Sequence, residues 1–160
     1  MTDRKLQANP EVPAEVNGLR IPDQLEVTHG IGIGTLATAM GIRLIELAPD
    51  RAVAVMPTEG NEQSYGLMHG GAFVVLGESL GSMASCLHAV ELFGQGAFAV
   101  GVDVNATHTR GVASGWVTAE CTALHLGRTL AVHEIAITDA DGRRCSTVRI
   151  TNAVRAPKGA

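Results

Sequence analysis

The sequence predicts an α+β domain, one long central helix wrapped by a mainly antiparallel β-sheet. Three observations predict it. An apolar stretch from about Gly70 to Ala89 reads as a helix interrupted by a single carboxylate, Glu78. Four strand-like segments with turn signals between them follow it. Two more precede it, flanking the hairpin signal Pro49-Asp50. Such elements bury their apolar faces most simply as two layers.

In chain order, residues 1–27 hold Pro10, Pro13 and Pro22 among polar residues and read as a mobile arm or strap. The domain proper is expected over 28–156, with a tail at 157–160. Small apolar residues from Gly30 to Met40 predict a short helix, and Gly41–Ala48 with Arg51–Met56 predict the first hairpin. The loop Gln63–Gly71 turns at two glycines into the long helix. Phe98–Ala106 alternates as a half-buried strand should. Ser114–His125 and Thr129–Thr138 come next, separated by Leu126-Gly127-Arg128. Asp139-Ala140-Asp141-Gly142 is a strong turn before the last strand, Arg144–Val154.

Composition narrows the function. The 160 residues suit one domain with a real core. Aromatics at 3% and a net charge of −4 argue against nucleic-acid binding, which wants stacking faces in a basic groove. Three cysteines without CxxC spacing favour reduced thiols and a cytoplasmic location. The chain opens without the pattern of a signal peptide, and Glu78 interrupts the best candidate membrane stretch, so no membrane partner is expected. The histidines lack metal-ligand spacing, and Gly30-Ile31-Gly32-Ile33-Gly34 is not a dinucleotide fingerprint; neither a metal nor a cofactor is expected.

Chemistry concentrates between Gln63 and Ser82. A helix start offers free N–H groups that can hold a developing negative charge, so the Gly70 N–H is a candidate donor to an acyl oxygen. Glu78, a carboxylate enclosed among Val, Leu and Gly where it is costly to keep without a partner or a task, and without a basic residue three or four positions away, is the candidate base or nucleophile. An exposed helix carboxylate is the alternative. His69 and Gln63 are candidate polar supports, although His69 equally suits a helix cap, and Gly70-Gly71 a tight turn. Ser82, one turn past Glu78, is placed to hold water or to bond back to its own helix. Met68, Gly71, Phe73 and His108 are candidate pocket residues. Arg110, Arg128 and Lys158 are candidates for phosphate contacts, against ordinary solvated charge.

Spacing carries a further expectation. Gly70 and Glu78 are eight residues apart, about 12 Å of helical rise. A reacting carbonyl must lie about 3 Å from both the oxyanion donor and the attacking group. One straight helix cannot provide that. Two helices packed antiparallel can, which predicts a homodimer whose sites combine Glu78 of one chain with Gly70, His69 and Gln63 of its mate. Gly77 and Gly81 would then permit close helix approach, or else pack tightly on the sheet.

Four ordered segments, Gly66-Leu67-Met68-His69-Gly70-Gly71-Ala72, Glu78-Ser79-Leu80-Gly81-Ser82, Val100-Gly101-Val102-Asp103-Val104-Asn105-Ala106 and Leu124-His125-Leu126-Gly127-Arg128, give a resemblance. Over about Gly30 to Arg155 the chain resembles the hotdog-fold acyl-CoA thioesterases, nearest the branch with enterobactin-proofreading, dihydroxynaphthoyl-CoA and 4-hydroxybenzoyl-CoA thioesterases. The resemblance implies joined sheets in a dimer and commonly a dimer of dimers, a homotetramer. It implies Glu78 as the catalytic carboxylate, Gln63 and His69 on the carbonyl side, and Gly70 as the backbone donor. Ser82 would assist water and His108 line the substrate pocket. Related phenylacetate-pathway proteins carry Asp at the Glu78 position, which favours the Glu-bearing branch. The expected activity is hydrolysis of an aryl or other bulky acyl-CoA. An acyl carrier protein's thioester is an alternative substrate, and a noncatalytic acyl-CoA-binding hotdog protein the alternative class. The paired His and Asp of hotdog hydratases are not seen.

Overall fold

The computed structural model describes residues 12–157. The expected arm up to residue 11, with Pro10, and the candidate Lys158 lie outside these residues. From residue 12 the chain forms β1 (Glu15–Val16), β2 (Leu19–Arg20) and α1 (Gln24–Val27). The Gln24 carboxamide binds both the N–H and the carbonyl of Leu44, tying α1 to the sheet. Asn17 donates to the Trp116 carbonyl and to Thr118 Oγ1, so this segment straps the sheet at two places.

α2 is only Thr35–Ala39, shorter than the helix expected from Gly30. Gly30, Gly32 and Gly34 each adopt positive φ (80°, 77° and 81°), which coils the chain instead of continuing a helix. β3 (Arg43–Leu47) and β4 (Arg51–Pro57) form the expected hairpin around Pro49-Asp50. α3 spans Gly70–Phe93 and ends at Gly94, past the expected Ala89. β5 (Phe98–His108), β6 (Trp116–Leu126), β7 (Leu130–Thr138) and β8 (Arg144–Arg155) complete one six-stranded sheet of order β3-β4-β6-β7-β8-β5. Every neighbouring pair is antiparallel.

α3 lies across this sheet. Leu76, Leu80 and Ala84 bury against Ala54, Met56, Val117, Ile135, Val148 and Ile150, an aliphatic core as the composition demands. By length and composition α3 could cross a membrane, but it is the core helix. Gly77 and Gly81 face the sheet: an added Cβ would meet Val148 at 2.7 Å and Ile150 at 2.4 Å. Of the two expectations for these glycines, tight packing onto the sheet is the one observed.

β5 departs from plain alternation. Its ladder with β8 carries a bulge between Gly101 and Asp103. Before it, Ala99 and Gly101 pair with Val154 and Asn152; after it, Val104, Ala106 and His108 pair with Ile150, Val148 and Ser146. Directly paired residues share a face, so the bulge moves the helix-facing set from odd to even positions. That shift aims His108 at the start of α3. β5 is also an edge strand, with Val100, Val102 and Val104 exposed rather than half-buried.

Candidate active site

The loop before α3 is built around buried Asn61. Its side chain donates to the carbonyls of Met40 and Pro57, and its own carbonyl accepts from the His69 N–H at 2.8 Å. His69 then caps the helix: Nδ1 accepts from the Gly71 N–H at 2.8 Å. In the neutral ring that leaves the proton on Nε2, a free donor. The Gln63 side-chain oxygen accepts from the Tyr65 N–H, which leaves its NH2 free to donate. The Gly70 N–H meets no acceptor among the described residues. Gly70 and Gln63 line one cleft at the tip of a helix whose dipole favours negative charge there, while His69 caps that tip without lining the cleft.

Both glycines of this tip have steric reasons. A Cβ on Gly70 would sit 3.0 Å from His108 Nε2, and one on Gly71 would sit 3.0 Å from His69 Nδ1. His108 is fixed by Ser146 Oγ at 2.9 Å and by the Phe73 ring, with centroids 5.4 Å apart. A cleft of about 360 Å³ opens here, lined by Gln63, Met68, Gly70, Phe73, His108 and Arg110 among others. Met68 and Phe73 are themselves core residues.

Glu78 lies elsewhere. With Gly101, Val102, Asp103, Val104 and Ile150 it lines a separate pocket of about 220 Å³. The side chain is exposed in the single chain, not enclosed by Val, Leu and Gly as its helix neighbours suggested. No ion pair among the described residues engages it. Ser82, one turn on, donates to Asn152 Oδ1 at 3.0 Å and does not bond back to its own helix. The candidate residues therefore fall in two separate places along α3, a donor-bearing helix tip and a carboxylate.

Arg128 belongs to neither. It stacks over Phe93, 4.9 Å from the ring centroid, at the far end of a helix about 35 Å long. The Leu126-Gly127-Arg128 segment is a turn whose Gly127 carbonyl bonds His88 Nε2 at 3.0 Å.

A third, mainly apolar pocket of about 290 Å³ was not legible in the sequence. Ile31, Ile33, Leu47, Met83, Cys86 and Leu87 line it, and Ser82 stands at its wall. Positions 82, 83, 86 and 87 form one helical stripe, the only local signal. The floor across from it comes from the coiled glycine segment, whose position no periodicity announces.

A long helix laid across a six-stranded antiparallel sheet is the architecture of the hotdog thioester hydrolases. The family model described as "Thioesterase superfamily" matches residues 65–146, and this chain belongs to that family. It is 41% identical over 131 residues to the proofreading thioesterase EntH of Cronobacter turicensis, covering 81% of this chain and 93% of that one. It is 38% identical over 133 residues to the 1,4-dihydroxy-2-naphthoyl-CoA hydrolase of Escherichia coli, with 81% and 93% covered. Among solved structures, a glutamine-to-alanine mutant of a Pseudomonas aeruginosa thioesterase superimposes with a TM-score of 0.73 at 40% identity, covering 83% of this chain and 94% of that one. The chain is a thioester hydrolase.

Proposed function

We propose that this enzyme hydrolyses acyl-CoA thioesters bearing aryl or other compact bulky acyl groups, in clefts shared by two copies of the chain. The observation that carries this reading is the separation of the half-sites. Glu78 sits beside Gly101, whereas Gly70, Gln63 and His69 gather about 12 Å up the helix. The edge strand β5, with its outer backbone groups unpaired, favours antiparallel addition of a second β5. Two α3 helices then run antiparallel, and each helix tip meets the other chain's Glu78. The joined sheets would also cover exposed Val100 and Val102. Two such dimers would assemble as a homotetramer, in the cytoplasm.

In this cleft the Gly70 N–H, Gln63 and the His69 Nε2–H polarise the thioester carbonyl, and Glu78 drives attack as base or nucleophile. Ser82 helps to order water. The acyl group enters the pocket of Ile31, Leu47, Met83 and Leu87, whose modest volume favours a ring over a long straight chain. Arg110, and Arg128 supplied by another subunit, meet the CoA phosphates. The relative named 1,4-dihydroxy-2-naphthoyl-CoA hydrolase supports the aryl preference. An acyl carrier protein's phosphopantetheine presents the same thioester and is the competing substrate.

Free-thiol release from benzoyl-, phenylacetyl-, medium-chain and long-chain acyl-CoA tests the reading. Glu78→Ala should lower turnover by about 10³-fold or more. Survival of most activity would defeat the assignment, and preference for long fatty chains would defeat the acyl class.

A further inference from the structure

We propose that the notch over Gly101 seats the attacking water, held between the Glu78 carboxylate and the Asn152 carboxamide, with Ser82 fixing Asn152. The proposal rests on the hydrolase reading above and gives Glu78 the part of general base.

Gly101 leaves a gap where other residues would place a Cβ. That point is 3.4 Å from Glu78 Oε1, 3.8 Å from Asn152 Oδ1 and 3.7 Å from Ile150 Cδ1. Two acceptor oxygens on an apolar floor therefore converge on one small space, which opens into the Glu78 pocket. A water needs two to four polar partners to stay ordered. Donating one proton to each oxygen leaves its lone pair free to face the carbonyl. The polar partner on β8 is part of this: Asn152 stands opposite Gly101 in the ladder, on the helix-facing side.

Asn152 is held in an otherwise unfavourable arrangement. The residue is fully buried, and its Nδ2 has no hydrogen-bond partner among the described residues. Turning the amide over would let Nδ2 donate to Ser82, but would remove the acceptor from this position. Ser82 Oγ instead donates to Oδ1 at 3.0 Å and keeps the oxygen facing the helix. A buried orphan N–H is rare enough to need a reason. Here Oδ1 takes the Ser82 hydroxyl and still has a lone pair for the water.

The step balances without any other reactant. Water oxygen attacks the thioester carbon as one of its protons passes to Glu78. The tetrahedral species then expels the thiolate by breaking the C–S bond, and Glu78 returns its proton to the sulfur. Asn152 accepts the water's second hydrogen bond and takes no proton. It is a positioning residue.

Gly101→Ala is the decisive variant. A Cβ at 3.4 Å from Glu78 is an ordinary contact, so the fold should survive while the seat is filled. With benzoyl-CoA, kcat should fall by about 30-fold or more while KM stays within about threefold. Asn152→Ala should lower kcat by about tenfold, and adding Ser82→Ala to it should cost little more than either change alone. Melting temperatures of the variants should stay near that of the parent. A folded Gly101→Ala enzyme with kcat within about twofold of the parent, or one that loses activity through KM, would overturn the seat. So would independent, multiplying losses from Asn152→Ala and Ser82→Ala. Gly101→Ala decides alone if Asn152→Ala fails to fold. A Glu78→Ala enzyme that stays active would reject the underlying reading; an inactive one beside an unaffected Gly101→Ala would reject only the seat.

Discussion

His108 Nε2 stands 3.0 Å from the point where a Cβ on Gly70 would lie. Two segments 38 residues apart in sequence thereby meet at the helix tip, one from α3 and one from the end of β5. A side chain at Gly70 would have to push the His108 ring aside by a few tenths of an ångström.

Gly70→Ala should therefore displace the His108 ring and spoil the oxyanion tip together. Misplacing a donor of this kind lowers kcat, by up to the roughly 10²–10³-fold that its removal costs. Steady-state kinetics beside a thermal melt check it: kcat should collapse while the fold persists. A folded Gly70→Ala enzyme of normal kcat would show that the tip accommodates a Cβ and that the contact with His108 does not set the donor's aim.

Gly81→Ala should act on stability instead. Its Cβ would stand 2.4 Å from Ile150 Cγ2, on the buried face of α3. Overpacking of this kind costs about 1–3 kcal/mol. Denaturant unfolding should show the loss as a lowered midpoint.

Stability should decline in mild acid through His133. This ring is buried, with Nε2 2.8 Å from the Pro49 carbonyl and Nδ1 3.3 Å from Ser85 Oγ. Burial pushes it below its ordinary 6.5, opposed by the Pro49 bond and aided by nearby His88. Below 6.5 the unfolded chain binds a proton that the folded chain resists. The stability is present above pH 6.5 and is lost as pH falls toward the lowered folded value, at up to about 1.4 kcal/mol per pH unit. Melts of the parent and of His133→Gln between about pH 5 and 7.5 should show a shallower slope for the variant.

The three thiols should differ in reactivity. Cys121 is buried, which pushes it up to about 12, and Cys145 is also buried and raised by the same cause. Cys86 is partly exposed and lines the apolar pocket beside Ser82. Maleimide on the native protein should label Cys86 first, and activity should fall in step with that labelling. Labelled Cys86 with full activity would show that this pocket does not take the acyl group.

Much of the architecture follows from patterning alone. The Pro49-Asp50 and Asp139–Gly142 turns, the four later strands and the start of α3 at Gly70 are set by local chemistry, because turn residues and apolar period act over a few positions. The same holds for the cluster of Gln63, His69 and Gly70, which one short loop brings together. Tertiary structure decided the rest. Whether Gly77 and Gly81 meet a helix or a sheet depends on which neighbour reaches them, and β8 does. The bulge after Gly101 turns His108 inward, and the buried amide of Asn152 comes to Ser82 from 70 residues away. A period-two pattern does not report an inserted residue, and sequence spacing does not report contact across a sheet. Those relationships exist only once the strands have chosen their register.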